Sequence, residues 1–280
     1  HLKKICSIAG KRMTGVRQAG ASGAPLDARD ITAEEVAVRL SLQLRKMVGP
    51  GRRWSYRGLA DLTGIDVRSL KAYAAGVFPM AESATDSALY WVEPDERGIF
   101  PLDGLVISRS LRKAVRQKRF EIRIDTAFEE VMKRCAEKTS ERKETWINAR
   151  ILKLYGELFR MGHCHSVESW RDGKLVGGLY GVRMGAAFFG ESMFSRETDA
   201  SKVALVHLVA RLNAGGFKLL DAQFMNPHLA TLGAISIKKA EYLKRLQPAI
   251  AADADFARFR GDHDPELVLT WAAGADAKQP

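Results

Sequence analysis

This chain predicts an α/β fold (α+β type), with a small N-terminal domain and a C-terminal mixed sheet flanked by helices, on three observations. Residues 166–170, 175–182 and 186–194 carry strand-type runs joined by the tight-turn pairs Asp172-Gly173 and Met184-Gly185. A helix-period run over 199–213 and a strand-type run over 217–224 follow them. The 280 residues exceed one average domain and are short for three, so two unequal domains are expected.

Residues 1–29 hold basic residues, Gly and Ala without apolar periodicity, and end in a Gly/Ser/Pro stretch that reads as a flexible arm. From Ile31 the pattern turns helical, with Val36, Leu40 and Leu44 on one face. Beyond the Gly49-Pro50-Gly51 break, residues 52–75 resemble a helix-turn-helix with Gly64 at its turn. That pattern is short, and a plain helical hairpin satisfies it as well. Residues 78–103 carry Pro79, Pro94 and Pro101 among Tyr90 and Trp91 and are expected as loops and short strands. The basic segment that follows places Arg109, Arg112 and Arg116 at helical spacing, which suits phosphate contact or simply a solvated face.

Thr126 and Glu129 have capping-box spacing ahead of a helix running to Cys135. A second helix is expected from about Glu144, with Ile147, Ile151, Leu154, Tyr155, Leu158 and Phe159 on one stripe and Gly162 as its stop. The three strands then form an antiparallel meander. The helix over 199–213, stopped by Gly215-Gly216, returns the chain to a strand parallel to the previous one. Antiparallel strands followed by a parallel crossover are the pattern of N-acetyltransferase-like acyltransferases, an analogy of fold that does not set the chemistry.

The net charge of +11 suits a polyanionic partner, tRNA or DNA alike. The hydrophobic fraction of 46% is enough for a packed core. Cys6, Cys135 and Cys164 are odd in number and widely spaced, which argues for a reducing compartment, and the cytoplasm is expected. No run approaches the roughly 18 apolar residues of a membrane span, and no membrane association is expected. His163-Cys164-His165 lies at the entry of a strand, where neighbours point to opposite faces, so no metal site is expected. The glycines at 177, 178, 181 and 185 are not followed by Gly-Lys-Ser/Thr and make no phosphate loop. No cofactor is expected.

Six or more blocks, in order, resemble the leucyl/phenylalanyl-tRNA-protein transferases: Ala74-Ala75-Gly76-Val77-Phe78-Pro79-Met80, Glu144-Thr145-Trp146-Ile147, His163-Cys164-His165-Ser166-Val167-Glu168, Gly177-Gly178-Leu179-Tyr180-Gly181-Val182 and Phe189-Gly190-Glu191-Ser192-Met193-Phe194-Ser195, joined by Ala200-Ser201-Lys202, Asp221-Ala222-Gln223 and Leu232-Gly233-Ala234. The likeness spans residues 70–247. The first sixty-odd residues have no counterpart in it, and Tyr90-Trp91 stands where the family has a Trp-Trp pair, leaving Trp91 as the match.

The resemblance implies transfer of Leu or Phe, and less well Met, from aminoacyl-tRNA to proteins beginning with Arg or Lys, creating a degradation signal of the N-end rule, by a monomer. It divides the chain into an extension over 1–65, a small transferase domain over 66–122, an N-acetyltransferase-like catalytic domain over 123–250 and a tail over 251–280. It puts Asp221 near the acceptor amine, as base or as electrostatic anchor, with Gln223 orienting that amine. The two are two apart on an expected strand, so their side chains share a face. Glu191 is implied at the aminoacyl pocket or near the incoming amine, with Leu179, Phe188 and Leu220 as pocket wall or core. Trp91 and Trp146 are implied at the terminal adenosine, and Arg109, Arg112 and Arg116 at tRNA phosphates. An acyl-CoA-dependent N-acyltransferase lacks its pyrophosphate loop here. A DNA-binding regulator built on 52–75 leaves the blocks over 70–247 unexplained.

Overall fold

The structure is a computed structural model, described here for residues 73–81, 83–84, 90–138 and 144–275. The arm, the helical pattern from Ile31 and nearly all of the helix-turn-helix-like stretch lie outside the described residues. Two compact units divide the chain, the first formed by residues up to Asp95 with Ala136–Met161 and Lys238–Gln247, the second by Glu96–Cys135, Gly162–Ile237 and the residues from Pro248 on.

In the first unit, β1 (Phe78–Met80) and β2 (Tyr90–Val92) pair antiparallel, with Pro79 opposite Trp91. The Tyr73 and Tyr155 hydroxyls meet at 2.6 Å in the buried interior. The helix expected from Glu144 starts five residues later, because the Asn148 side chain accepts from the Ile151 amide at 2.8 Å and caps it there.

The second unit is built on a seven-stranded sheet. Its strands are β3 (Glu96–Phe100), β4 (Glu121–Ile124), β5 (Cys164–Arg171), β6 (Lys174–Met184), β7 (Ala187–Ser195), β8 (Leu219–Gln223) and β9 (Ile235–Lys238), in the spatial order β4-β5-β6-β7-β8-β3-β9. The expected meander is present, antiparallel from β4 to β7. Asp172 and Gly173, both at positive φ, make the two-residue turn between β5 and β6, since Arg171 pairs directly with Lys174. β8 runs parallel to β7, as expected of the crossover, and β3 pairs antiparallel with β8.

The described helices in both units are α1 (Arg109–Arg116), α2 (Phe128–Ala136), α3 (Ala149–Arg160), α4 (Ala200–Ala214), α5 (Pro227–Thr231), α6 (Lys239–Ala251) and α7 (Pro265–Ala272). α4 is buried nearly all round because it lies in a middle layer. Leu205, Leu208, Val209 and Leu212 pack on the sheet with Val167, Leu179, Phe188, Phe217 and Leu220. Val203, Val206 and Ala210 pack outward against Leu111, Ala114 and Val115 of α1 and Val268, Leu269 and Ala272 of α7. The stretch after residue 250, expected as a tail, thus carries a helix that covers α4. It also supplies partners to Arg211, buried in α4, whose guanidinium donates to the Phe256 and Phe259 carbonyls at 3.0 Å each and to the Asp262 carboxylate.

On the other side of the sheet, Phe128 of α2 meets the Tyr180 ring edge-on at 5.7 Å. At Thr126, where the sequence predicts a capping box with Glu129, a longer-range arrangement is present. The Thr126 hydroxyl donates to Glu168 of β5, and the same carboxylate accepts the Ala127 amide at 2.7 Å, so a strand side chain receives the start of this helix.

Candidate active site

β7 and β8 are the parallel pair of the sheet, with Phe189 opposite Asp221 as their last register pair. Beyond it lie Gly190 and Glu191 on β7 and Gln223 on β8, at the carboxyl ends where α/β sheets place ligands. Because β3 is antiparallel to β8, its opening residues reach the same end, with Gly98 opposite Gln223. Arg97 therefore arrives beside Asp221.

The Arg97 guanidinium donates from Nε to Asp221 Oδ1 at 2.9 Å and Oδ2 at 3.1 Å, and from a terminal nitrogen to Oδ2 at 2.6 Å. The exposures of the two side chains are 1% and 0%. Oδ1 also accepts the backbone amide of Gln223 at 2.7 Å. This last bond closes a tight loop across Ala222, and Gln223 leaves the strand at φ 60, in the left-handed region that non-glycine residues seldom occupy. Its side chain is buried, and Nε2 has no hydrogen-bond partner among the described residues. A buried amide donor so placed calls for an acceptor from outside the described residues, on a water or a ligand.

Glu191 is the extra residue of a β-bulge: Tyr180 pairs with Ser192 and Gly181 with Gly190, so two steps on β7 answer one on β6. Such bulges re-aim a side chain. The Glu191 carboxylate is 8% exposed. Its field reaches Cys164, whose thiol is pushed well above its usual range by burial first and by Glu191 and Asp125 next, so Cys164 stays a neutral thiol. His163, one residue earlier, is held below the ordinary imidazole range by burial and by Arg183 and His165. His165 is turned to Asp125, with Nδ1 2.7 Å from the carboxylate and its ring stacked 4.0 Å from Phe256. Among the described residues no three His, Cys, Asp or Glu side chains are grouped to hold a metal ion.

The structure brings Asp221 and Gln223 together, and places Glu191 at the same end of the sheet. Leu179, Phe188 and Leu220 also come together, but in the core under α4. Leu220 precedes Asp221 on the same strand, so the two side chains leave opposite faces. Trp146 is half-buried in the bend before the Asn148 cap, and Trp91 lies on β2, both in the first unit. Arg109, Arg112 and Arg116 all lie on α1. Arg109 and Arg116 are exposed, and Arg116 is ion-paired with Glu266 at 2.6 Å. Arg97 is the site residue that sequence reasoning missed. Its signal was an Arg heading the short run Gly98-Ile99-Phe100 before Pro101, where a buried partner is needed.

A family model described as leucyl/phenylalanyl-tRNA protein transferase matches residues 99–247, and one described as that family's N-terminal domain matches residues 68–95. The chain is 60% identical over 189 residues to the leucyl/phenylalanyl-tRNA protein transferase of Paramagnetospirillum magneticum, covering 68% of this chain and 90% of that one. It is 56% identical over 193 residues to the protein of the same name from Afipia carboxidovorans, covering 69% and 85%. For that from Rhizorhabdus wittichii the identity is 57% over 204 residues, covering 73% and 82%.

Proposed function

The chain belongs to the leucyl/phenylalanyl-tRNA protein transferase family, and from that premise we propose that it moves leucine or phenylalanine, and less well methionine, from aminoacyl-tRNA to the N-terminal Arg or Lys of acceptor proteins. Proteins so extended enter degradation by the N-end rule. The observation that carries the reading is the buried Arg97, Asp221 and Gln223 constellation at the carboxyl end of the parallel strand pair.

An aminoacyl ester is already activated, so the enzyme needs to hold two substrates in line, admit a neutral amine and stabilise the tetrahedral intermediate. Gln223 suits both reacting groups. Its amide oxygen accepts from the incoming α-amine and orients it, and Nε2, which has no partner among the described residues, donates to the carbonyl oxygen as charge gathers there. Glu191, aimed by its bulge and 8% exposed, supplies negative charge for the basic acceptor residue. Leu179, Phe188 and Leu220 back the sheet from the α4 side and set how far its strands can yield to the aminoacyl side chain. One methylene is worth only about 1–3 kcal/mol to such a site, which fits acceptance of Leu, Phe and Met together.

Trp91 and Trp146 are assigned to the terminal adenosine, where a base stacked on an aromatic ring gains roughly 1–3 kcal/mol. Arg109, Arg112 and Arg116 of α1 are assigned to phosphates, a contact blind to tRNA sequence. No described helix is long and apolar enough to cross a membrane. We place the protein in the cytoplasm, as a monomer working without a cofactor. The test is transfer of radiolabelled leucine from charged tRNA to a peptide beginning with Arg and to the same peptide beginning with Ala. Label on the Arg peptide alone is expected; folded protein that labels neither overturns the reading.

A further inference from the structure

We propose that Arg97 is a positioning residue that fixes the direction of the Asp221 carboxylate and occupies it as an acceptor, so that Asp221 builds the Gln223 turn and takes no proton from the acceptor amine. The inference rests on the transferase reading and deepens it.

The argument is one of occupied lone pairs. A carboxylate has about four acceptor positions, and here three N–H groups are directed at it: the Gln223 amide on Oδ1, a terminal Arg97 nitrogen on Oδ2, and Arg97 Nε shared between the two oxygens. A guanidinium fork on a carboxylate fixes distance and direction together, as an ammonium would not. With exposures of 1% and 0%, the pair is shut off from bulk solvent. A base must reach its proton directly or through one water, and both oxygens of this carboxylate are already turned to Arg97 and the Gln223 amide.

What the carboxylate does is hold Gln223 at φ 60, and so aim a buried amide with an unused donor. Arg97 acts on the reaction through Asp221, and Asp221 through Gln223. The chemistry then balances without a protein base. The acceptor ammonium loses one proton to solvent before attack, and the neutral nitrogen forms the C–N bond at the ester carbonyl. The C–O bond to the ribose breaks with its electron pair on the ribose oxygen. That oxygen is protonated by the second proton the nitrogen sheds, relayed by water. Another charged group at this end of the sheet is Glu191 on β7.

The experiment is the pH dependence of kcat/KM for leucyl transfer to an Arg peptide by the wild type, Asp221→Asn, Arg97→Lys and Glu191→Gln, with charged-tRNA binding and near-UV circular dichroism recorded for each. In the wild type the rate is expected to rise tenfold per pH unit to a single midpoint near 8, that of an α-amine. Asp221→Asn should lower the plateau about 100-fold, and Arg97→Lys about 10-fold or more, both through kcat, with the midpoint unmoved and tRNA binding kept. A wild-type ionisation between pH 4 and 7 that vanishes in Asp221→Asn and persists in Glu191→Gln overturns the assignment, because Asp221 is then the base. Should the single variants unfold, the pair Arg97→Met with Asp221→Leu removes both charges at once; folded double variant at the wild-type plateau also overturns it, and a lowered plateau with an unmoved midpoint supports it. Absence of transfer by the wild type at every pH counts against the transferase reading itself.

Discussion

The Cβ that Gly181 lacks would stand 2.4 Å from Cε1 of Phe188, and equally 2.4 Å from the Phe189 carbonyl oxygen. Gly181 sits where the β6–β7 register shifts around Glu191, so an added methyl meets backbone that the bulge itself has fixed. Gly181→Ala is expected to destabilise the fold by about 1–3 kcal/mol, the range of overpacking. Urea unfolding measures it, and transfer activity should fall with the bulge that aims Glu191.

Glu168 is 0% exposed and accepts four hydrogen bonds: from the Thr126 hydroxyl, the Ala127 amide at 2.7 Å, the Ser166 hydroxyl at 2.8 Å and the Trp170 indole at 3.0 Å. Glu168→Gln turns an NH2 against donors that all need an acceptor. A loss of about 2–4 kcal/mol is expected, since a buried donor left unmatched carries its whole desolvation cost. Thermal unfolding reads this. A midpoint within a degree of the wild type would show that the four donors find other partners.

Arg116 and Glu266 are paired with both side chains more than half exposed. Arg116→Ala should leave the melting midpoint unchanged, because an exposed pair contributes little. If α1 contacts phosphate, the same change weakens tRNA binding and lowers the slope of log K against log salt by about 1. An unaltered slope in a filter-binding titration removes Arg116 from the interface.

Burial alone would raise the Asp262 carboxyl, but its bonds to His207 and Arg211 outweigh burial and hold it below the ordinary range. A carboxylate lowered by folding stabilises the native state above its unfolded pKa, about 4, and that stabilisation is lost as pH falls through the lower folded value. Asp262→Asn should therefore cost stability at pH 7, with the difference from the wild type shrinking only below about pH 4. Chemical denaturation across pH 3–7 tests this.

The meander and the crossover were legible because their signals are local. Asp172-Gly173 names its turn, and α4 carries its own stop at Gly215. β4 was hidden because Glu121 and Arg123 belong to a basic run that reads as a solvated helix, while Ile122 and Ile124 alternate inward. The late start of α3 and the docking of the α2 start on β5 have one cause. Asn148 and Glu168 settle helix ends by bonds that periodicity does not reveal. In the site, Asp221 and Gln223 were legible from the motif resemblance and strand spacing. Arg97 was not, because its partner is 124 positions away, and no local pattern reports a contact across that distance.

The pairing of β3 with β8 has a consequence for the order of synthesis. Residue 97 emerges from the ribosome well before residue 221, and at about 5–20 residues per second the guanidinium waits on the order of ten seconds for its carboxylate. A chain truncated before β8 has Arg97 but neither Asp221 nor Gln223, so on the reading proposed above a nascent chain has no assembled site to offer the charged tRNAs that feed the ribosome beside it. On that reading the chain becomes competent to acylate other proteins only once β8 has been made and paired.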